Sequence, residues 1–132
     1  RLTREGKIRN MARILVVDDD PDVVGVIRKE LVACGHDVVT AADGETALEW
    51  ADARALDLVV ADLVLPGMDG IELMLALRRR WPELPLLAIS GGGLVSKDIL
   101  LGMAEQLGAH GILQKPFASS ELRKAVDALL ET

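Results

Sequence analysis

The sequence predicts an α/β domain built on a five-stranded parallel sheet, doubly wound, with helices on both faces. Short apolar runs alternate five times with stretches whose apolar residues recur at helical spacing. The runs are nearly continuous rather than alternating, as expected of strands covered on both sides by helices. Turn-forming and capping residues separate them at regular intervals.

The elements follow in order. Strand-like ARILVV (12–17) leads into the helical stretch 22–35, and HDVVTAA (36–42) into 44–55. DLVVAD (57–62) precedes the helical stretch 70–81, LPLLAIS (84–90) precedes 96–108, and HGILQK (110–115) precedes 119–131. Asp20 before Pro21 reads as an N-cap followed by the first helical residue, and Asp69 with Glu72 as a capping pair. Gly35 and Gly108 stand where the first and fourth helices should end.

Half of the 132 residues are apolar, enough for one domain with a buried core. The folded pattern begins at Met11, so residues 1–10 read as a flexible leader and 11–132 as the domain. The leader holds four basic residues and one acid, leaving 11 basic and 20 acidic residues beyond it. That balance argues against a nucleic-acid surface on the domain. No apolar run approaches the roughly 18 residues of a membrane span. The single cysteine, Cys34, provides no disulfide framework, reads as a packing residue, and fits a reducing cytoplasm.

In sheets of this kind ligands sit beyond the carboxyl ends of the strands. There the first strand ends in Asp18, Asp19 and Asp20, and the third in Asp62. The fourth ends in Ser90 followed by Gly91-Gly92-Gly93, and the fifth in Lys115-Pro116-Phe117. Capping accounts for Asp20 alone. Clustered carboxylates repel and take up protons unless a cation intervenes, and an all-oxygen set suits magnesium. His36 and His110 lie far apart and read as structural, so zinc is not expected. Magnesium beside a carboxylate, an ammonium and a hydroxyl is a phosphoryl-transfer layout: metal and Lys115 neutralise the transferring oxygens while Asp62 attacks in line. The glycine run is either a flexible loop or a phosphate cradle.

ILVVDDDPDVV, DLVLPGMDG, AIS and KPF, in this order and spacing, resemble the receiver domains of two-component response regulators over about residues 12–131. The resemblance implies Asp62 as phosphoacceptor, Asp19 as a direct Mg²⁺ ligand, Asp18 as its partner through water, and the backbone carbonyl of Val64 as a further ligand. It also implies Ser90 as the switch hydroxyl, Lys115 as the phosphate-sensing lysine, and a cis Lys115–Pro116 bond. The implied phosphodonor is a sensor histidine kinase or phosphotransfer protein. A downstream protein target would use the face of the fourth helix, fifth strand and fifth helix. Such a domain catalyses only its own modification, and stands alone or precedes an output domain.

This sequence departs from the family at three points. Ile112 replaces the usual switch aromatic, so a signal is expected to run through residues 90–96 and the fourth helix. That helix carries Ile99, Leu100, Leu101 and Met103, too many to bury on one face. Val64 and Gly92 have no polar reach with which to orient a water, so slow phosphoryl loss is expected. Metal binding should register in tryptophan fluorescence or NMR shifts. Rival readings are a flavodoxin-like cofactor binder, disfavoured by acids after the first strand, and a structural pseudo-receiver, disfavoured by the complete acidic set with Lys115. A haloacid-dehalogenase-type phosphatase would use the spacing of Asp18 and Asp20.

Overall fold

The computed structural model describes residues 11–65, 70–91 and 97–131, with side chains at 97, 100, 101 and 104 excepted. The expected leader, the Asp69 half of the capping pair, and Gly92 and Gly93 lie outside the described residues.

The chain runs β1 (Arg13–Val17), α1 (Pro21–Ala33), β2 (Asp37–Ala41), α2 (Gly44–Ala53), β3 (Leu58–Asp62), α3 (Gly70–Arg80), β4 (Leu86–Ser90), α4 (Lys97–Leu107), β5 (Gly111–Gln114) and α5 (Ser119–Leu130). All strand pairs are parallel, in the order β2-β1-β3-β4-β5. The five predicted strand–helix pairs are thus all present. Because the chain steps outward from β1 to β2 and then returns to β3, the crevice beyond β1 and β3 is the topological switch point.

Each boundary has a local cause. The Asp20 carboxylate accepts from the Asp22 amide at 2.9 Å, and Pro21 opens α1 with its missing N–H where no partner exists anyway. Asp43 caps α2 by accepting from the Thr46 amide at 2.7 Å. Gly35 (φ 92°) and Gly108 (φ 76°) end α1 and α4 in the left-handed region. α2 stops earlier than its periodicity predicts: Arg54 is extended, with its guanidinium stacked 5.1 Å from the Trp50 ring centroid.

Two apolar layers flank the sheet. Ile27 and Leu31 of α1 and Leu122 and Val126 of α5 pack on one face with Ile14, Val16, Leu58 and Val60. α2, α3 and α4 cover the other face, with Leu73, Met74 and Leu77 of α3 fully buried against Leu15, Val59 and Leu86. β3 is buried along its whole length, Asp62 included. The sheet therefore delivers a carboxylate to the end of its most enclosed strand.

Both histidines are structural, as expected. The Nδ1 atoms of His36 and His110 accept from the amides of Ala12 and Leu86, each at 3.1 Å. Burial pushes the pKa of His36 below its ordinary value, against a weaker opposing pull from Asp127. The folded chain thus favours the neutral ring, and stability contributed above about pH 6.5 is lost as pH falls from there toward the folded value. In His36→Asn, whose side-chain oxygen still accepts from Ala12, the drop in urea midpoint from pH 7 to pH 5 should shrink. An unchanged drop would exclude His36 as its source.

Candidate functional site

Asp18 directly follows β1 and Asp62 ends β3, side by side, because Val17 pairs with Ala61 in the sheet register. Their backbones are fixed by the Asp18 amide donating to Ala41 O (3.1 Å) and the Leu63 amide donating to Ile89 O (3.0 Å). Both residues are nearly inaccessible, at 2% and 5% exposure. A carboxylate in such a place requires partners for both oxygens. Asp18 Oδ1 accepts from the Asp20 amide at 2.9 Å, and Asp62 Oδ1 from the Val64 amide at 2.8 Å. The remaining Oδ2 atoms share one cation. Lys115 Nζ donates to Asp62 at 2.7 Å and to Asp18 at 3.0 Å. Lys115 follows β5 and reaches over the intervening β4, its own amide anchored on Ser90 O at 2.9 Å.

The electrostatics follow from this packing. Burial raises the pKa of Asp18, opposed by the Asp20 amide and Lys115, while the charge of Asp62 adds to the rise. For Lys115 burial acts downward, but hydrogen bonds and charge from Asp62 and Asp18 outweigh it and hold the ammonium above its usual pKa. One positive charge thus faces two buried carboxylates, with exposed Asp19 adjoining. The site is short of positive charge and rich in hard oxygen donors, a donor set that fits Mg²⁺. Among the described residues no three acidic, histidine or cysteine side chains already converge as a metal cage.

Of the residues picked out in sequence, the fold brings Asp18, Asp62 and Lys115 into direct contact. Asp19 stands exposed next to them. The Val64 side chain is 73% exposed, and its contact with the site is through its amide. The Ser90 hydroxyl donates weakly to Gly91 O at 3.3 Å. The Lys115–Pro116 bond is cis. Ile112 is half-buried in the layer under α2, α3 and α4, as a core residue of β5 would be. Ile99 of α4 is 59% exposed, whereas Met103 packs on the core; the side chains of Leu100 and Leu101 lie outside the described residues.

The amides of Asp20 and Val64 were not singled out in sequence. Their signal is the spacing of two residues, at which an aspartate carboxylate accepts from its own backbone. The expected tryptophan readout also needs correction. A cleft of about 650 Å³ opens at the opposite end of the sheet, lined by Arg54, Arg80, Trp81 and Leu84 among others. Trp81 is part of its wall and Trp50 lies under Arg54, so indole fluorescence reports on the wrong end of the domain. NMR shifts remain the appropriate readout.

A family model described as the response regulator receiver domain matches residues 14–127. The alkaline phosphatase synthesis transcriptional regulatory protein PhoP of Bacillus subtilis (strain 168) is 39% identical over 118 residues, spanning 89% of this chain and 48% of that protein. The nitrogen assimilation regulatory protein NtrX of Azorhizobium caulinodans is 36% identical over 121 residues, spanning 90% of this chain and 26% of its own length. The chain therefore covers half or less of these curated relatives. Among solved structures, the receiver domain of NtrX from Brucella abortus superposes with a TM-score of 0.83 at 36% identity, covering 90% of this chain and 98% of that one. The chemotaxis response regulator CheY4 of Vibrio cholerae does so at 0.82 and 30% identity, covering 91% and 99%.

Proposed function

The chain belongs to the response regulator receiver domain family, and on that premise we propose that Asp62 accepts a phosphoryl group from a phosphohistidine of a sensor kinase or phosphotransfer protein. The observation that carries the proposal is the buried Asp62 carboxylate, held at one oxygen by an amide and at the other by Lys115. The Val64 amide fixes Oδ1 and so sets the direction of Oδ2. As Oδ2 bonds to phosphorus, the phosphorus–nitrogen bond of the donor breaks, and the imidazole, already protonated on its other ring nitrogen, leaves neutral with the bonding pair. The Lys115 ammonium transfers from Oδ2 to a phosphoryl oxygen, where it stabilises the charge that develops there. Ser90, at the end of β4, answers the new oxygens with its hydroxyl. Asp18, Asp19, Asp62 and the Val64 carbonyl would hold Mg²⁺, which when bound spreads positive charge over the same oxygens.

The domain so read catalyses only its own phosphorylation and dephosphorylation. Residues 11–132 form the receiver, which works in the cytoplasm and signals to a downstream protein through α4, β5 and α5, where Ile99 is exposed. Among the described residues no helix is long and apolar enough to cross a membrane. The longer relatives motivate an output domain in the full protein. A phosphatase centred on Asp18 and Asp20 gains no support, since Asp20 is an exposed helix cap and Asp18 is tied to Lys115.

Incubation with acetyl phosphate and Mg²⁺, followed by borohydride trapping and peptide mapping, should place one acyl phosphate at Asp62. A label elsewhere would overturn the assignment. Because the Val64 side chain offers no polar atom to a hydrolytic water, decay of that label should be slow, and Val64→Glu should accelerate it. Equal or slower decay in the variant would remove water positioning as the cause.

A further inference from the structure

We infer that Gly70 is a positioning residue for Asp62: the missing side chain at the first position of α3 lets the helix close onto the Asp62–Leu63 peptide and fixes the acceptor carboxylate. The inference rests on the acceptor reading of Asp62. A Cβ at Gly70 would lie 2.0 Å from Asp62 O, 2.4 Å from Leu63 Cα and 2.6 Å from Leu63 C. Non-bonded carbons settle at roughly 3.5–4.0 Å, so either the strand end or the helix would have to move by about 1 Å or more.

The need is for space and not for an unusual backbone, because only Gly35 and Gly108 have positive φ among the described glycines. The obstructing atoms are backbone, with no flexible side chain to swing aside. α3 cannot easily retreat, since Leu73, Met74 and Leu77 are fully buried in the layer beneath it. Leu63 is buried too and its amide is tied to Ile89 O, so the displacement is shared and the Asp62–Leu63 peptide takes part of it.

What moves there is the frame of the reaction. The Gly70 amide donates to Leu63 O (3.1 Å), the Leu63 amide to Ile89 O (3.0 Å), and the Val64 amide to Asp62 Oδ1 (2.8 Å). Displacing the Asp62–Leu63 peptide therefore turns the carboxylate and shifts Oδ2 relative to Lys115. A misplacement of about 1 Å is worth on the order of 100-fold in rate.

The test compares phosphoryl uptake from acetyl phosphate in wild type, Gly70→Ala, Leu77→Ala and Asp62→Asn, with circular dichroism melts and amide spectra for each. Gly70→Ala should be slowed about 100-fold while folded, with amide shifts at Leu63 and Val64. Leu77→Ala removes a buried side chain two turns along the same helix and should melt lower but react at nearly the wild-type rate. A folded Gly70→Ala at wild-type rate, or Leu77→Ala slowed as much, overturns the inference. If Gly70→Ala melts too low, uptake is measured in trimethylamine N-oxide, which favours the compact state. Wild-type rate there, or no recovery of fold at all, also overturns it. Label in Asp62→Asn refutes the acceptor reading, whereas an inert Asp62→Asn beside a full-rate Gly70→Ala refutes the role of Gly70 alone.

Discussion

Asp62→Asn is expected to take up no phosphoryl group from acetyl phosphate or from a phosphorylated kinase, and to melt no lower than wild type. The substitution keeps the shape of the side chain, so its oxygen can still accept from the Val64 amide as Oδ1 does, while its nitrogen cannot accept from Lys115, which then pairs with Asp18 alone. It removes the anionic oxygen that would bond to phosphorus, and an amide nitrogen is no substitute as a nucleophile. The stability half follows from charge. One ammonium faces two carboxylates in the wild type, and the variant leaves one for one. Mutual repulsion disappears with the second charge. Asp18→Asn relieves the same repulsion and retains the nucleophile, so it should still be labelled, but more slowly, because a proposed Mg²⁺ ligand is lost. Labelling of Asp62→Asn at wild-type level would eliminate Asp62 as the acceptor. A large fall in its melting temperature would contradict the charge argument.

Lys115→Met is expected to lower both stability and reaction rate, by separable causes. Removing one partner from a buried ion pair costs roughly 3–5 kcal/mol. Here the lysine side chain is 23% exposed, so a loss of about 2–3 kcal/mol is expected. The loss should be greatest near neutral pH and smaller in acid, where Asp18, already pushed upward by burial, takes up a proton. At the alkaline end the raised pKa of Lys115 holds the pair together up to the ordinary lysine value, and its contribution is lost as pH rises through the folded one. Phosphoryl uptake should fall by about 10²–10³-fold, the usual cost of removing one charge-stabilising donor. The double variant Lys115→Met/Asp18→Asn separates the two effects. It should regain part of the stability, because one of the two unpaired carboxylates is gone while Asp62 stays without a cation, and none of the rate. Recovery of both together would mean that Lys115 acts only through the fold.

What depends on near neighbours along the chain is legible without any structure. Apolar spacing set five strand–helix pairs, Asp20-Pro21 opened α1, and Gly35 and Gly108 closed α1 and α4. Asp18, Asp62 and Lys115 likewise stand out by their places at or just past strand ends. Whether those groups meet is a question of strand order, and no local pattern encodes it. Lys115 and Asp18 are 97 residues apart, and their 3.0 Å contact exists because β1 and β3 are neighbours and β5 follows on the far side of β4. Tertiary packing likewise decided that both tryptophans sit away from the carboxylates, which overturned the fluorescence readout. Gly70 shows the same division. In sequence it is one more glycine before a helix, and only the approach of α3 to the Asp62 carbonyl turns its missing Cβ into a requirement. Periodicity and caps are properties of a segment, read along the backbone. Close contacts between segments arise when buried apolar faces on both sides of the sheet pull distant stretches together, and there the structure alone decides.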